Sequence, residues 1–230
     1  MKRRLIVTSA MVLAVAFAVT SLSIAEEPKP IKLPAPRMEG GKPLMQALKD
    51  RQTVRDFAPD KLSPQVLSDL LWAAFGINRP ESGKRTAPSA VNWQEIDVYV
   101  ALEEGLYLYD AKANQLVPIL ARDIRGATGP QPFVAGAPVN LIFVADYTRM
   151  GNADEETKKF YSGCDTGYIS QNVYLFCASE GLGTVVRGYV DKENLAKVMN
   201  LPETQHIVLA QTVGYPKKAA EKAEEKPAGE

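Results

Sequence analysis

The stretch Asp154–Gly188 constrains the fold more than any other part of the chain. It predicts one long helix, ended by a glycine pair and followed by a short β-branched run. Within Tyr168–Ala178 the apolar residues cover nearly the whole circumference, and a helix that is apolar all round is buried on all sides. A plain core helix would explain this, and so would the interface of a dimer whose two cores are continuous. The polar residues Ser170–Asn172 interrupt the apolar run, and buried amides need partners; we expect cross-subunit hydrogen bonds there.

Length and charge set the broad class. A chain of 230 residues can form one domain with a sizeable core. Its 27 basic and 27 acidic residues balance, so no global field attracts nucleic acid. We therefore expect no nucleic-acid partner.

The amino terminus has the composition of a secretory signal peptide. Lys2–Arg4 precede the apolar run Leu5–Val19, and Ser23–Ala25 places small residues where a signal peptidase cleaves. We expect residues 1–25 to be removed after about Ala25, giving an exported protein, periplasmic or secreted, with no stable membrane insertion. A retained anchor is the alternative, because the run approaches the spanning length of about 20 residues. The pair Arg3-Arg4 leaves the general and twin-arginine export routes both open.

The cysteines and the histidine carry no metal or disulfide chemistry. Cys164 and Cys177 lie thirteen positions apart on the predicted long helix, which separates them by about 20 Å. A disulfide needs Cα atoms within about 7 Å, so we expect core packing instead. The single histidine, His206, cannot build a metal site or a catalytic triad alone.

The order of the remaining segments predicts an α+β domain of two or three layers. Residues 26–42 are a proline-rich linker that need not pack, residues 43–216 the folded domain, and residues 217–230 a charged, disordered tail. Helices are predicted at 43–50, 64–75 and 192–199, and strands at 96–102, 106–109, 115–120, 139–145 and 205–213.

Three further segments have patterns typical of loops or ligand sites. In Arg51–Phe57, two arginines four positions apart flank an amide and a hydroxyl, donors that suit a phosphate; a solvated helix end is the alternative. In Lys84–Gln94, donors and acceptors alternate with small residues, as in loops that approach a flat polar ligand; a surface connection is the alternative. Arg122–Gly136 is rich in glycine and proline, and is either a lid or a long crossover.

Taken together, these segments resemble the flavin-dependent nitroreductase superfamily. The matching pieces are Arg51–Phe57, Ala87–Gln94, Asp165–Gly188 and the closing Gly214–Pro216. The resemblance covers roughly residues 44–216. The hairpin Glu104–Asp110 also resembles the branch that contains the azoline (thiazole/oxazole) dehydrogenases of peptide-toxin maturation.

The resemblance implies a fold and a set of site residues. It implies a central mixed or antiparallel sheet flanked by helices, with the long helix buried at a homodimer interface and FMN bound between the subunits. The FMN phosphate and ribityl chain would be held by Arg51, Gln52, Thr53 and Arg55. The isoalloxazine would be lined from the partner subunit by Pro88, Ser89, Ala90 and Asn92, with Gln94 nearby. Val186, Arg187 and Gly188 would lie against the ring, with a backbone N–H donating to flavin N5. Lys217 or Lys218 would complete the phosphate site.

The resemblance also implies the activity. The chain would be an exported FMN-dependent oxidoreductase that transfers a hydride through flavin N5 to or from a small organic substrate such as a nitro-aromatic or a quinone. No residue stands out as a catalytic acid or base, and NAD(P)H, a cytoplasmic reductant, stays open as the donor. The alternatives are a peptide or small-metabolite dehydrogenase of the azoline type and a non-catalytic flavin-binding dimer. The family often has an acidic residue or glycine at the position of Arg187, and a cation beside the ring would favour the anionic reduced flavin.

Overall fold

A computed structural model describes residues 29–217. The predicted signal peptide, Lys218 and the rest of the predicted tail lie outside the described residues. The helices are α1 (Leu44–Asp50), α2 (Pro64–Phe75), α3 (Glu155–Glu180) and α4 (Lys192–Met199). The strands are β1 (Ile31–Lys32), β2 (Ile77–Arg79), β3 (Lys84–Arg85), β4 (Ile96–Leu102), β5 (Gly105–Asp110), β6 (Gln115–Leu120), β7 (Val139–Asp146), β8 (Gly183–Arg187) and β9 (Gln205–Gly214). Short 3₁₀ helices cover Ala90–Asn92, Arg125–Thr128 and Tyr147–Met150.

A seven-stranded sheet forms the centre of the molecule, in the order β1-β6-β5-β4-β7-β9-β8. Every neighbouring pair in it is antiparallel. Strand β7 lies in the interior of the sheet, and its residues Val139 to Ala145 are all buried, as its continuous apolar sequence predicts. The predicted α+β class with a helix-flanked sheet is confirmed.

The two faces of the sheet carry separate apolar clusters. On one face α2 and α3 pack through residues such as Leu70 and Val173. On the other face α4 packs through Leu195 and Met199, beside Ile124 at the start of the second 3₁₀ helix. The second face is where the Arg122–Gly136 segment lies, and this segment is therefore packed against the sheet for part of its length.

Helix α3 begins and ends as its sequence predicts. Asp154 is the N-cap and accepts a hydrogen bond from the Thr157 N–H at 2.7 Å. Gly181 ends the helix with a φ of 72°, a left-handed conformation that favours glycine. The helix has 26 residues and is therefore about 39 Å long. Cys177, buried on α3, and Cys164 are both free thiols.

The burial of α3 in the single chain is one-sided. Ile169 and Val173 are fully buried, whereas Tyr168 is 49% exposed. At the polar interruption, the backbone carbonyl of Ser170 accepts from Gln211 Nε2 at 3.3 Å. Asn172 Nδ2 contacts the Ala74 carbonyl at 3.5 Å. Phe160 and Tyr161 of α3 are exposed as well.

The described part of the predicted linker, residues 29–42, packs on the domain, which the sequence did not predict. Strand β1 pairs with the edge strand β6, and Leu33 is only 4% exposed. The Pro34 carbonyl accepts from the Ser68 hydroxyl at 2.5 Å, and Arg37 forms an ion pair with Asp69 at 2.7 Å. Prolines are tolerated on an edge strand, so a proline-rich segment with apolar residues between the prolines can extend the sheet.

A small hairpin, β2–β3, replaces the polar loop predicted around Asn78–Gly83. Its strands are too short and too polar for a period to show in the sequence. Among residues 29–217, no helix combines the length and the apolar character needed to cross a membrane.

Candidate active site

The arginine segment Arg51–Phe57 leaves α1 and runs along the edge of the main sheet. The Val54 N–H donates to the Thr184 carbonyl of β8 at 3.0 Å. On its other side the Asp56 carbonyl accepts from the Lys217 N–H at 3.0 Å. The backbone of Lys217 therefore lies beside the arginine segment, where the sequence predicts that a basic residue completes a phosphate site.

A cavity of about 460 Å³ borders this segment. Its basic and amide lining side chains are Lys42, Lys49, Arg51 and Gln52. Lys42 is paired with Asp50 at 2.7 Å. Thr53 and Arg55, further along the same segment, are exposed. Guanidinium, amide and hydroxyl donors around an open space are the donor set that a phosphate monoester requires.

Tyr174 joins the pieces of this site, and sequence reasoning missed it. Its hydroxyl lies 3.2 Å from Thr53 Oγ1 and accepts from the Val186 N–H at 3.1 Å. The Arg51 guanidinium lies 5.4 Å from the centre of the Tyr174 ring, within range of a cation–π interaction. A signal was present, since a buried tyrosine hydroxyl within an apolar helix needs a polar partner.

Strand β8 brings Val186, Arg187 and Gly188 beside the arginine segment, but the Val186 N–H is already bound to Tyr174. The Val186 N–H is therefore not available as a donor to flavin N5 in this structure. The backbone of Arg187 and Gly188 continues the same edge of the sheet, and their proposed contact with the ring stays a prediction.

The Arg187 side chain does not extend into open space beside this edge. It is 5% exposed and lies on the sheet face opposite α3, where its donors reach four residues, Gln131 among them. Nη1 donates to the Thr128 carbonyl at 2.6 Å, Nη2 to Asn140 Oδ1 at 3.1 Å, and Nε to Thr212 Oγ1 at 3.1 Å. Burial lowers the pKa of Arg187 to about 10. The guanidinium holds the packed Arg122–Gly136 segment against the sheet, which differs from the sequence expectation of a cation placed beside the ring.

The loop Pro88–Gln94, the second predicted part of the site, has a strained backbone. Val91, Asn92 and Gln94 have positive φ angles of 46°, 61° and 49°. Each costs of order 1–3 kcal/mol in a residue other than glycine, and such strain clusters at functional sites. The loop borders a cavity of about 330 Å³ that is also lined by Arg79, Lys84 and Arg85.

Two buried acids lie beneath the Pro88–Gln94 loop. Asp165 Oδ2 of α3 accepts from the Ala90 N–H at 2.9 Å, and Glu95 Oε2 accepts from the Ser89 hydroxyl at 3.2 Å. Burial, and after it the charge of Asp165, raises the pKa of Glu95 to about 7. Sequence reasoning included Asp165 in the family resemblance without assigning it a role, and it missed Glu95.

The two parts of the site do not converge within one chain. The arginine segment contacts α3 at Tyr174, and the Pro88–Gln94 loop contacts it at Asp165, nine residues earlier. Nine residues correspond to about 13 Å along a helix and to a rotation of about 180°. The structure therefore brings Arg51, Thr53 and Val186 together and leaves Pro88–Gln94 on the opposite side of α3.

Comparison with known proteins identifies the family of the chain. The model of the nitroreductase family matches residues 48–215. The chain belongs to the nitroreductase family. A Methanocaldococcus jannaschii protein assigned as a nitroreductase is 32% identical over 163 residues, covering 66% of this chain and 82% of that protein. The crystal structure of a Ralstonia eutropha protein with the same assignment is 42% identical, with a TM-score of 0.80, and covers 85% of this chain and 93% of that one.

More distant relatives of this nitroreductase-family chain bear on its cofactor and branch. An FMN reductase [NAD(P)H] of Bacillus subtilis is 23% identical over 198 residues, covering 80% of this chain and 69% of that protein. A chain of the Escherichia coli microcin synthetase McbBCD complex has the same fold, with a TM-score of 0.66 at 20% identity, covering 91% of this chain and 85% of that one. The family and these relatives make the chain an FMN-dependent oxidoreductase, and the suspected likeness to the azoline-related branch is confirmed at the level of the fold.

Proposed function

We propose that the protein is an exported, homodimeric oxidoreductase with two FMN sites, each built from both subunits, acting on a small organic substrate. The single observation that carries the shared site is the separation of its two parts on opposite sides of α3. A cofactor held by the arginine segment of one subunit can meet a Pro88–Gln94 loop only if a second copy supplies it.

An uncovered apolar surface supports the dimer. On α1, Leu44, Met45 and Leu48 are 62%, 76% and 44% exposed, and on α3 Tyr168 is 49% exposed. Between these helices, a cavity of about 510 Å³ includes Leu44, Leu175 and Phe176 in its lining. Exposed apolar patches of this kind mark protein interfaces, and a second copy of α3 would cover the side of the helix that the single chain leaves open.

The donor groups fit FMN. Arg51 and Arg55 would bind the phosphate through charge-assisted hydrogen bonds, with Gln52 and Thr53 beside them. Tyr174 holds Thr53 in position and fixes the edge of β8 at Val186. Pro88, Ser89, Ala90 and Asn92, with Gln94 beside them, would line the ring from the partner subunit. When bound, FMN supplies hydride transfer, and the chain's own contribution is binding, orientation and exclusion of water.

The substrate class is a nitro-aromatic, a quinone or a similar small acceptor. Export through the predicted signal peptide would separate the protein from the cytoplasmic NAD(P)H pool, so we propose an electron donor other than free NAD(P)H. A peptide or small-metabolite dehydrogenase is the second candidate, favoured by the fold shared with the microcin synthetase chain and by the β4–β5 hairpin. A flavin-binding dimer without turnover is the third.

Binding of FMN by arginine variants tests the proposal. The purified mature protein should be yellow, and Arg51→Ala or Arg55→Ala should each lose about 1.5–3 kcal/mol of FMN binding, which corresponds to a Kd increase of about 10- to 150-fold. Lys112→Ala removes an exposed cation at the far hairpin and serves as the control. A colourless protein that takes up no added FMN, or unchanged affinity in both arginine variants, would contradict the assignment.

Reduction of the bound flavin separates the candidate activities. Stopped-flow bleaching with NADH or NADPH indicates a nicotinamide-driven reductase, whereas a flavin that neither reduces indicates another donor or a dehydrogenase. Fast reduction by either nucleotide would contradict the proposed alternative donor.

A further inference from the structure

Two carboxyl groups are buried against each other beneath the Pro88–Gln94 loop. Glu95, just before β4, is 0% exposed, and Asp165 in α3 is 1% exposed. In the described part of the chain, neither acid belongs to an ion pair. Two buried like charges without a cation are strongly unfavourable, so one of the pair is expected to hold a proton.

The hydrogen-bond pattern around the two acids leaves a place for this proton. Ser89 Oγ accepts from the Gln94 N–H at 2.8 Å, and its own proton is therefore directed to Glu95 Oε2. Asp165 Oδ2 is occupied by the Ala90 N–H. Glu95 Oε1 has no hydrogen-bond partner in the described structure, yet the two carboxyl groups are close enough that a hydrogen bond with Asp165 raises the pKa of Glu95. A proton between the acids satisfies the buried oxygen.

Glu95 and Asp165 contact the Pro88–Gln94 loop on both sides of its strained residues. Asp165 holds the loop at Ala90, before the left-handed residues Val91 and Asn92. Glu95 holds Ser89, whose Oγ in turn binds the Gln94 N–H on the far side of those residues. A strained backbone persists only where its surroundings over-determine it, and here the two acids fix both ends.

We propose that Glu95 and Asp165 share one proton and thereby act as positioning residues that hold the Pro88–Gln94 loop in its strained conformation. Its consequence for the cofactor rests on the proposed function, which places this loop against the flavin. An open loop would expose Glu95 to water, where its pKa is near 4.5. Opening then releases the proton between pH 4.5 and about 7, so the closed loop loses stability as the pH rises through this window and reaches a plateau above it.

Other titratable and charged groups surround the pair from neighbouring elements. They are Tyr147, with Lys158 and His206 against its ring, and the Arg149–Asp97 ion pair, in which Arg149 also donates to the Gln94 carbonyl. Tyr147 lies near enough for the charge of Glu95 to raise its pKa, although burial is the larger cause. Arg149 is paired with Asp97 and Asp146, and in the described part of the chain none of these groups forms an ion pair with Glu95 or Asp165.

Hydrogen exchange of the FMN-free protein tests the shared proton without any flavin. In the wild type, protection of the Ala90 and Gln94 amides, corrected for intrinsic exchange, should fall about tenfold per pH unit between pH 5 and 7 and then level off. In Glu95→Gln, a neutral isostere, the same protection should not change with pH. Asp69→Asn removes another buried carboxyl, on α2, and should keep the wild-type pH profile.

The outcomes test the shared proton separately from the proposed function. Protection that is independent of pH in the wild type, or equally dependent in Glu95→Gln, overturns the shared proton. If Glu95→Gln does not fold, Asp165→Asn serves instead, because loss of the neighbouring charge should move the pH profile to lower pH, and an unmoved profile overturns the proposal.

FMN affinity over the same pH range then tests positioning. Because the FMN phosphate itself ionises near pH 6, the wild type is compared with Glu95→Gln at each pH. The ratio of wild-type affinity to variant affinity should fall as the pH rises, and a constant ratio overturns the positioning role. If hydrogen exchange follows the prediction but neither the wild type nor any variant binds FMN, the proposed function fails, and the shared proton between Glu95 and Asp165 is still supported.

Discussion

Replacing Tyr174 by phenylalanine should loosen the junction between the arginine segment and the edge of β8. The change removes one hydroxyl and keeps the ring, so the packing of this 8%-exposed side chain is preserved. Two contacts disappear, the one to Thr53 Oγ1 at 3.2 Å and the one from the Val186 N–H at 3.1 Å. A buried donor left without an acceptor costs about 1–3 kcal/mol, and this is the expected loss of unfolding free energy.

Urea unfolding of the FMN-free protein measures this loss, and fluorescence titration measures FMN affinity in parallel. Because Thr53 and Val186 flank the proposed cofactor site, the Kd for FMN should rise by about tenfold, equivalent to about 1.4 kcal/mol. Tyr109→Phe is a matched control: that tyrosine is also 8% exposed, and its hydroxyl donates one long hydrogen bond to Asn114 at 3.4 Å, away from the site. Equal stability and equal FMN affinity in Tyr174→Phe and the wild type would refute the proposal that the Tyr174 hydroxyl joins the arginine segment to β8.

Three further changes probe other parts of the account. Burial beside Asp165 raises the pKa of Glu95 from 4.5 to about 7. Protonated Glu95 therefore contributes about 3 kcal/mol to the free energy of unfolding, fully below pH 4.5 and no longer once the pH has risen through 7. Unfolding titrations should show this decline in the wild type and not in Glu95→Gln. Arg187→Met should lower the unfolding free energy by about 3 kcal/mol, and Arg187→Lys should restore little, because an ammonium cannot reproduce the planar fork; full rescue by lysine in thermal melts would count against the network. Tyr168→Asp should convert a dimer into a monomer in sedimentation velocity, and an unchanged dimer would place the interface elsewhere.

Most of the fold could be predicted from local sequence patterns. The long helix α3 follows from its Asp154 cap, its apolar middle and Gly181, and β7 follows from a continuous apolar run. The alternating hairpin β4–β5 was equally visible. These elements are specified by residues close in sequence, so no knowledge of distant contacts is needed to see them.

The features that were missed depend on long-range contacts. Strand β1 exists because β6 offers an unpaired edge, and nothing within the proline-rich segment indicates that partner. The family resemblance placed Arg187 beside the flavin, and the burial of its side chain against Thr128, Asn140 and Thr212 could not be seen from the sequence, because these partners are distant along the chain. Tyr174 and Glu95 were missed because their roles arise from partners 121 and 70 positions away, Thr53 and Asp165.

The central claim is that each FMN site takes the arginine segment from one subunit and the Pro88–Gln94 loop from the other. Complementation between two defective variants tests it most directly. Arg51→Ala removes the phosphate contact, and Ala90→Trp places a bulky ring in the loop; neither variant alone should bind FMN normally. A mixed dimer, isolated with two different affinity tags, contains one site with both defects and one site with neither.

We expect this mixed dimer to bind one FMN per dimer with wild-type affinity, as measured by titration and native mass spectrometry. If each site were built within a single subunit, both sites of the mixed dimer would carry one defect. A mixed dimer that binds no FMN with wild-type affinity, beside a wild-type dimer that binds two, would contradict the shared site.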